Sequence, residues 1–214
     1  MSGSENLVVP EAEPAVASEL FGDRIDVARA FCSRLVEEGE LRGLIGPREL
    51  PQLWTRHILN SVLLAPLLPQ RVGDVGSGGG FPGLVLAIAR PDVELTLIEP
   101  MERRTVWLQE CVTGLGLDNV RVLRGRAEDV DVGFPFDAVT ARAVSGLSKL
   151  IPLTAPLVRS GGHLLLLKGA RVEEEIERAR KVIRKHRLQE LEVLELGAEF
   201  GLETTRVFKS TVDP

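Results

Sequence analysis

Tyrosine is absent from this chain, and only Cys32, Cys111, two tryptophans and two methionines occur among its 214 residues. Two cysteines exclude a disulfide-rich secreted scaffold and a four-cysteine zinc site, so no metal is expected. No run approaches the roughly 18 apolar residues of a membrane span. The opening segment, MSGSENLVVPEAEPAVASE, is acidic where a signal peptide is basic. A reducing cytoplasm is therefore the expected address. An excess of base is lacking too, with a net charge of −5. That deficit is local: residues 1–50 hold ten acids and five bases, whereas the remainder is balanced. A polyanionic partner would have to be held by patches such as residues 171–187, where seven Arg/Lys face four Glu.

What is present suits one ordinary domain. The chain is 44% hydrophobic and long enough to bury roughly 70% of its unfolded surface without a covalent staple. Residues 1–19 are polar and aperiodic and are expected to be a disordered tail. Residues 20–69 predict a helical cap: Phe21, Ile25, Ala28, Cys32, Leu35 and Val36 recur at helical spacing, and a second helix is expected from about Pro47 until Pro66 and Pro69 end it. Residues 70–214 alternate strands (71–75, 94–99, 120–125, 136–141, 163–168, 190–196, 204–210) with helices (about 82–90, 101–115, 146–158, 171–187). This order predicts a Rossmann-like α/β fold, a seven-stranded, mostly parallel sheet with helices on both faces. The last two strands have no helix between them and should form an antiparallel hairpin at one edge.

Chemistry concentrates after the first strand, in RVGDVGSGGGFPGLVLAIA. Asp74 and Val75 close the strand, and Gly76, Gly78, Gly79, Gly80 and Gly83 follow before a helix begins. Such glycines let the backbone turn sharply and approach a bulky ligand, and residues 78–83 satisfy G-x-G-x-x-G. Glu99, at the end of the second strand, is placed to accept both ribose hydroxyls of an adenosine-containing cofactor, and Arg126–Asp129 to meet the adenine edge. On these features alone, a nicotinamide-dependent oxidoreductase and a non-catalytic cofactor sensor or RNA-binding protein remain alternatives to a transferase.

The loop DVGSGGGFPG resembles motif I of the class I S-adenosylmethionine-dependent methyltransferases. Together with RHILNSVLLAP (56–66), RAED (126–129), ARAVSGL (141–147) and LLLLKG (164–169), it resembles the ribosomal RNA small subunit methyltransferase G family (glucose-inhibited division protein B). The resemblance implies methylation of guanine N7 in the decoding region of 16S rRNA, on free rRNA or the assembled subunit, by a protein expected to be a monomer. It implies cofactor contacts at Gly76, Phe81, Ala127, Glu128 and Arg142, to which the loop reading adds Asp74, Gly78 and Glu99. Asn60 departs from the family's usual Asp. Guanine N7 is a nucleophile in its own right, so no general base is expected. Consistently, no Pro-Cys nucleophile and no N/D-P-P-aromatic segment occurs. Arg142 and Lys168, at the ends of the fourth and fifth strands, are the positioning candidates. His57 reads equally as a core histidine or a substrate contact, Trp54 and Trp107 as core. Without tyrosine, a base must stack on Phe, Trp, His or an Arg plane. Lys181, Arg184, Lys185 and nearby Arg178 share a helical face that can meet rRNA phosphates, with Arg103, Arg104, Arg124 and Arg126 as the alternative surface.

Overall fold

Strand and helix alternate as expected in the computed structural model, which describes residues 9–46, 48–142 and 144–213. The strands are β1 (Arg71–Val75), β2 (Glu94–Glu99), β3 (Val120–Arg124), β4 (Phe136–Arg142), β5 (Val158–Lys168), β6 (Leu188–Leu196) and β7 (Thr205–Val212). They form one sheet in the order β3-β2-β1-β4-β5-β7-β6, with β7 antiparallel to both neighbours. The hairpin thus folds back inward: β7 inserts beside β5, and β6 becomes the edge. β7 is the strand buried on both sides, with Val207 and Phe208 fully enclosed, whereas β6 is largely exposed and rich in Glu. Strand order reverses between β1 and β4, the switch point at which open α/β sheets leave a crevice beyond their carboxyl ends.

Helices α1 (Val16–Phe21), α2 (Ile25–Glu38), α3 (Asn60–Val62), α4 (Gly83–Ala89) and α5 (Glu102–Leu115) are joined by α6 (Leu147–Thr154) and α7 (Val172–Lys185). Side-chain alternation along β5 divides the core. Leu165 and Leu167 join Phe31, Leu53, Ile58, Leu84 and Trp107 on one face, while Leu164 and Leu166 join Leu150, Ile151, Ala179 and Ile183 on the other. The N-terminal helices therefore share a core with the sheet.

Three boundaries move. The expected tail is ordered before residue 20: α1 buries Ala17 and Phe21, and Glu13 takes two hydrogen bonds from Arg29 at 2.6 and 2.8 Å. Residues 1–8, the rest of that segment, lie outside the described residues, as does Pro47, the expected helix start. The second expected helix is a composite, a 3₁₀ turn (Leu50–Gln52), a widened π-helical stretch (Leu53–Leu59), α3 and a 3₁₀ turn at Ala65–Leu67. The widening lies where functional sites often place it. β5 begins five residues early: Val158 already pairs with Phe136, and an irregular stretch with Gly161 at φ +72° precedes the regular pairing from His163.

The direction of β5 also settles α7. Glu175, in the helix's first turn, meets Lys168 at the carboxyl end of β5. The helix then runs back for about 21 Å. Its basic end leads into Leu188, which pairs with Val212 next to the Thr211–His163 pair near the start of β5's buried run. Lys181, Arg184 and Lys185 are exposed but lie at the end of the sheet opposite the crevice. Arg178 and Arg180 are paired along the helix with Glu174 and Glu177.

Candidate functional site

The glycine loop is pinned from several sides. Asp74 is fully buried, and its Oδ2 accepts the Gly83 N–H at 3.1 Å, tying the start of α4 to the end of β1. Trp107 Nε1 donates to Gly79 O at 3.0 Å, so a residue read as core also holds the loop. Glu99 Oε2 accepts the Gly78 N–H at 3.0 Å and its Oε1 the Met101 N–H at 2.9 Å. Gly76 has φ +74°, and a Cβ there would stand 2.8 Å from Val144 Cγ2, a position that only glycine fits without strain.

These pieces bound a cleft of about 730 Å³ between the loop, Glu99 to Arg104, the segment from Leu44 to Asn60, and Arg142. Its size suits a cofactor-sized ligand. A smaller hollow of about 310 Å³ lies at the other end of the sheet, by Arg71, Glu94 and Asn119, and gathers none of the loop residues.

Arg142 is the dominant charge. Its Nη1 donates to Arg56 O at 3.1 Å, its Nη2 lies 2.7 Å from His57 Nδ1, and its guanidinium sits 4.7 Å from the Phe81 ring centre. Both hydrogen-bond partners are neutral, and among the described residues no carboxylate lies within ion-pair distance. Burial pulls its pKa down to about 10, while the charges of Asp74 and Glu49 hold it up, so it is a cation at neutral pH. A half-buried cation with no direct ion-pair partner is a ready seat for an anionic group of a ligand. His57, 8% exposed, is pushed down to about 4, first by burial and then by the charges of Arg142 and Arg56 against the pull of Glu49. It is neutral.

Gly76, Gly78, Phe81, Glu99 and Arg142 thus line the cleft together. Phe81, an expected cofactor contact, has a largely enclosed ring. It is 5% exposed and already packed by Phe31, His57 and Arg142, so little of it is free to cover a ligand. Asp74 lies beneath the loop and braces it, outside the cleft lining. Ala127 is buried in the core cluster on the α6–α7 side, and Glu128 is exposed. Neither lines the cleft. Lys168 is taken out of contention as an RNA or substrate contact: its Nζ donates to Ser145 O at 2.9 Å and pairs with Glu175 Oε2 at 2.7 Å, with the side chain only 8% exposed. It locks the loop after β4 to α7. Conversely, Glu49, Arg56 and Arg104 line the cleft without having been singled out for it; Glu49 and Arg56 come from the irregular N-terminal segment, whose path no periodicity announces.

Asp74 yields a measurable consequence. Burial raises its pKa from 3.8 to about 7, opposed by the Gly83 N–H among others, and its Oδ1 has no partner to compensate a charge. Because the folded value exceeds the unfolded one, the stability that protonated Asp74 contributes is complete below about pH 4 and lost as pH rises through 7. Relative to Asp74→Asn, the wild type should lose up to about 1.4 kcal/mol per pH unit across that window. Urea unfolding of both proteins at pH 5, 6, 7 and 8 measures the difference, and parallel curves would contradict the assignment.

A family model described as rRNA small subunit methyltransferase G matches residues 24–204. The ribosomal RNA small subunit methyltransferase G of Clavibacter sepedonicus is 61% identical over 203 residues, covering 94% of this chain and 96% of that protein. The protein of that name from Thermobifida fusca is 50% identical over 198 residues, with coverages of 92% and 84%. Among solved structures, a tRNA (m1A58) methyltransferase from Aquifex aeolicus aligns with a TM-score of 0.56 at 18% identity, covering 72% of this chain and 69% of that one. A SAM-dependent O-methyltransferase from Thermotoga maritima aligns with a TM-score of 0.56 at 17% identity over 73% of this chain and 66% of that one. At such identities the structural likeness speaks for the fold alone.

Proposed function

The chain belongs to the rRNA small subunit methyltransferase G family, and on that premise we propose that it methylates N7 of a guanine in the decoding region of 16S rRNA, as a cytoplasmic monomer. Its methyl donor is S-adenosylmethionine, which supplies a methyl group activated on a sulfonium. The observation that carries the reading at the level of this molecule is Arg142, a half-buried guanidinium facing the switch-point cleft whose hydrogen-bond partners are neutral.

The residues present fit that donor. Arg142 would take the carboxylate of the methionyl part, in the place where its own counter-charge is lacking. Glu99 would accept ribose hydroxyls: each carboxylate oxygen has a second lone pair beyond the one held by Gly78 or Met101. Gly76 leaves the space that a side chain would fill. Guanine N7 presents its own lone pair, so the chain has to orient the base and need not remove a proton from it; positioning of this kind is worth several kcal/mol. His57, neutral at working pH, adds no positive charge where the base becomes cationic.

The test is labelled methyl transfer to unmodified small subunits, with the modified nucleotide mapped. Label on N7 of one 16S guanine is expected. Absence of transfer, or label on another atom, would overturn the reading. The position of α7 makes a second expectation. Lys181→Ala/Arg184→Ala/Lys185→Ala should bind subunits with an unaltered salt slope, because that face points away from the cleft. A slope smaller by about one unit per lost phosphate contact would return the RNA surface to α7.

A further inference from the structure

We propose that Glu49 and His57 form a donor–acceptor pair that reads the O6 and N1–H groups of the target guanine, and so select guanine over adenine. The inference rests on the function proposed above and concerns the part of the cleft wall supplied by the N-terminal segment, where His57 packs beside Phe81.

The hydrogen-bond inventory assigns the polarity of each group. A guanidinium has donors only, so His57 Nδ1, 2.7 Å from Arg142 Nη2, is the acceptor. The ring proton is then on Nε2. That nitrogen is buried and has no hydrogen-bond partner among the described residues. Its nearest carboxylate oxygen, Glu49 Oε1, is 3.3 Å away but not aligned with the N–H. Glu49 Oε2 is held by the Gly46 N–H at 2.6 Å, which anchors the carboxylate of a residue that lines the cleft and leaves Oε1 as its other acceptor. A buried donor without a partner is costly. Here it stands beside an unused acceptor without the two satisfying one another.

An acceptor next to a donor is what this pair complements. Guanine presents O6 beside N1–H on its Watson–Crick edge, and adenine presents the reverse, an amino group beside an unprotonated N1. Against adenine, Nε2–H would face a donor and Oε1 a lone pair. Uracil shares the guanine order but has no N7. On the purine, O6 lies between N1 and N7, so holding O6 and N1–H leaves N7 free. Reading an unstacked base by this edge is how proteins recognise a nucleotide drawn out of its stack.

The test crosses three enzymes, the wild type and two variants, with two bases. His57→Asn keeps an acceptor for Arg142 and removes the Nε2 donor. Glu49→Gln keeps an acceptor for the Gly46 N–H and places an amide where the free oxygen stood. Each is assayed by kcat/KM on subunits reconstituted with guanine or with 2-aminopurine at the target, a base that keeps N7 but lacks O6 and N1–H. The wild type should favour guanine roughly ten- to a hundredfold. Both variants should lose that preference and converge with the wild type on 2-aminopurine. Equal losses on the two bases would overturn the proposal, and the ratio remains decisive for a destabilised variant because reduced folding lowers both rates alike. Failure of the wild type to methylate guanine N7 would refute the underlying function instead.

Discussion

Gly76→Val should leave a folded protein that no longer binds S-adenosylmethionine. Two effects combine at this position. With φ at +74°, a β-branched residue pays the left-handed penalty of about 1–2 kcal/mol. Its Cβ also lies 2.8 Å from Val144 Cγ2, so the side chain either fills the cleft or displaces the segment after β4. Gly116 supplies the control. It has φ +63° at the end of α5, away from the cleft, and a Cβ there would meet nothing within 4 Å. Gly116→Val should therefore lose comparable stability and keep its affinity. Calorimetry with S-adenosylmethionine, together with thermal melts of both variants, separates strain from occlusion. Retained affinity in folded Gly76→Val would mean that the loop is not the cofactor's seat.

Arg142→Met should separate binding from stability in the opposite sense. Removing a charged partner of the cofactor carboxylate should weaken S-adenosylmethionine binding by roughly ten- to a hundredfold. The empty protein, by contrast, should melt at an equal or higher temperature, since a half-buried cation with no direct ion-pair partner among the described residues is replaced by an apolar chain of similar reach. The variant also reports on His57. Burial alone would still hold its pKa low, but loss of the neighbouring positive charge should raise it from about 4. NMR titration of the imidazole checks that shift, and an unchanged value would break the inferred coupling. A drop in melting temperature with affinity intact would make Arg142 a structural residue. The Glu99→Ala variant is the companion at the other end of the cleft, with an expected loss of similar size in affinity. Its interpretation needs the melt as well, because two backbone N–H groups lose their acceptor.

Local patterns determined much of this protein before any packing was considered. β1 and β2 have the boundaries read from their apolar runs, and α4, α5 and α7 lie within a residue or two of expectation, because strand and helix periodicity is written in neighbouring residues. The glycine loop and Glu99 were legible for the same reason: a strand, a tight turn and a helix start are consecutive. Tertiary structure alone decided what meets across long separations. Arg142 and His57 are 85 residues apart and come together because β4 ends beside β1, under a π-widened turn with no sequence signature. Lys168 looked available until the first turn of α7 brought Glu175 to it. The basic face of α7 was correctly a helical face, but the direction of β5 put it at the far end of the sheet. Charge and periodicity are properties of a segment. Which charges are neutralised, and which face a cleft, depends on the partner that the fold delivers and the water it removes.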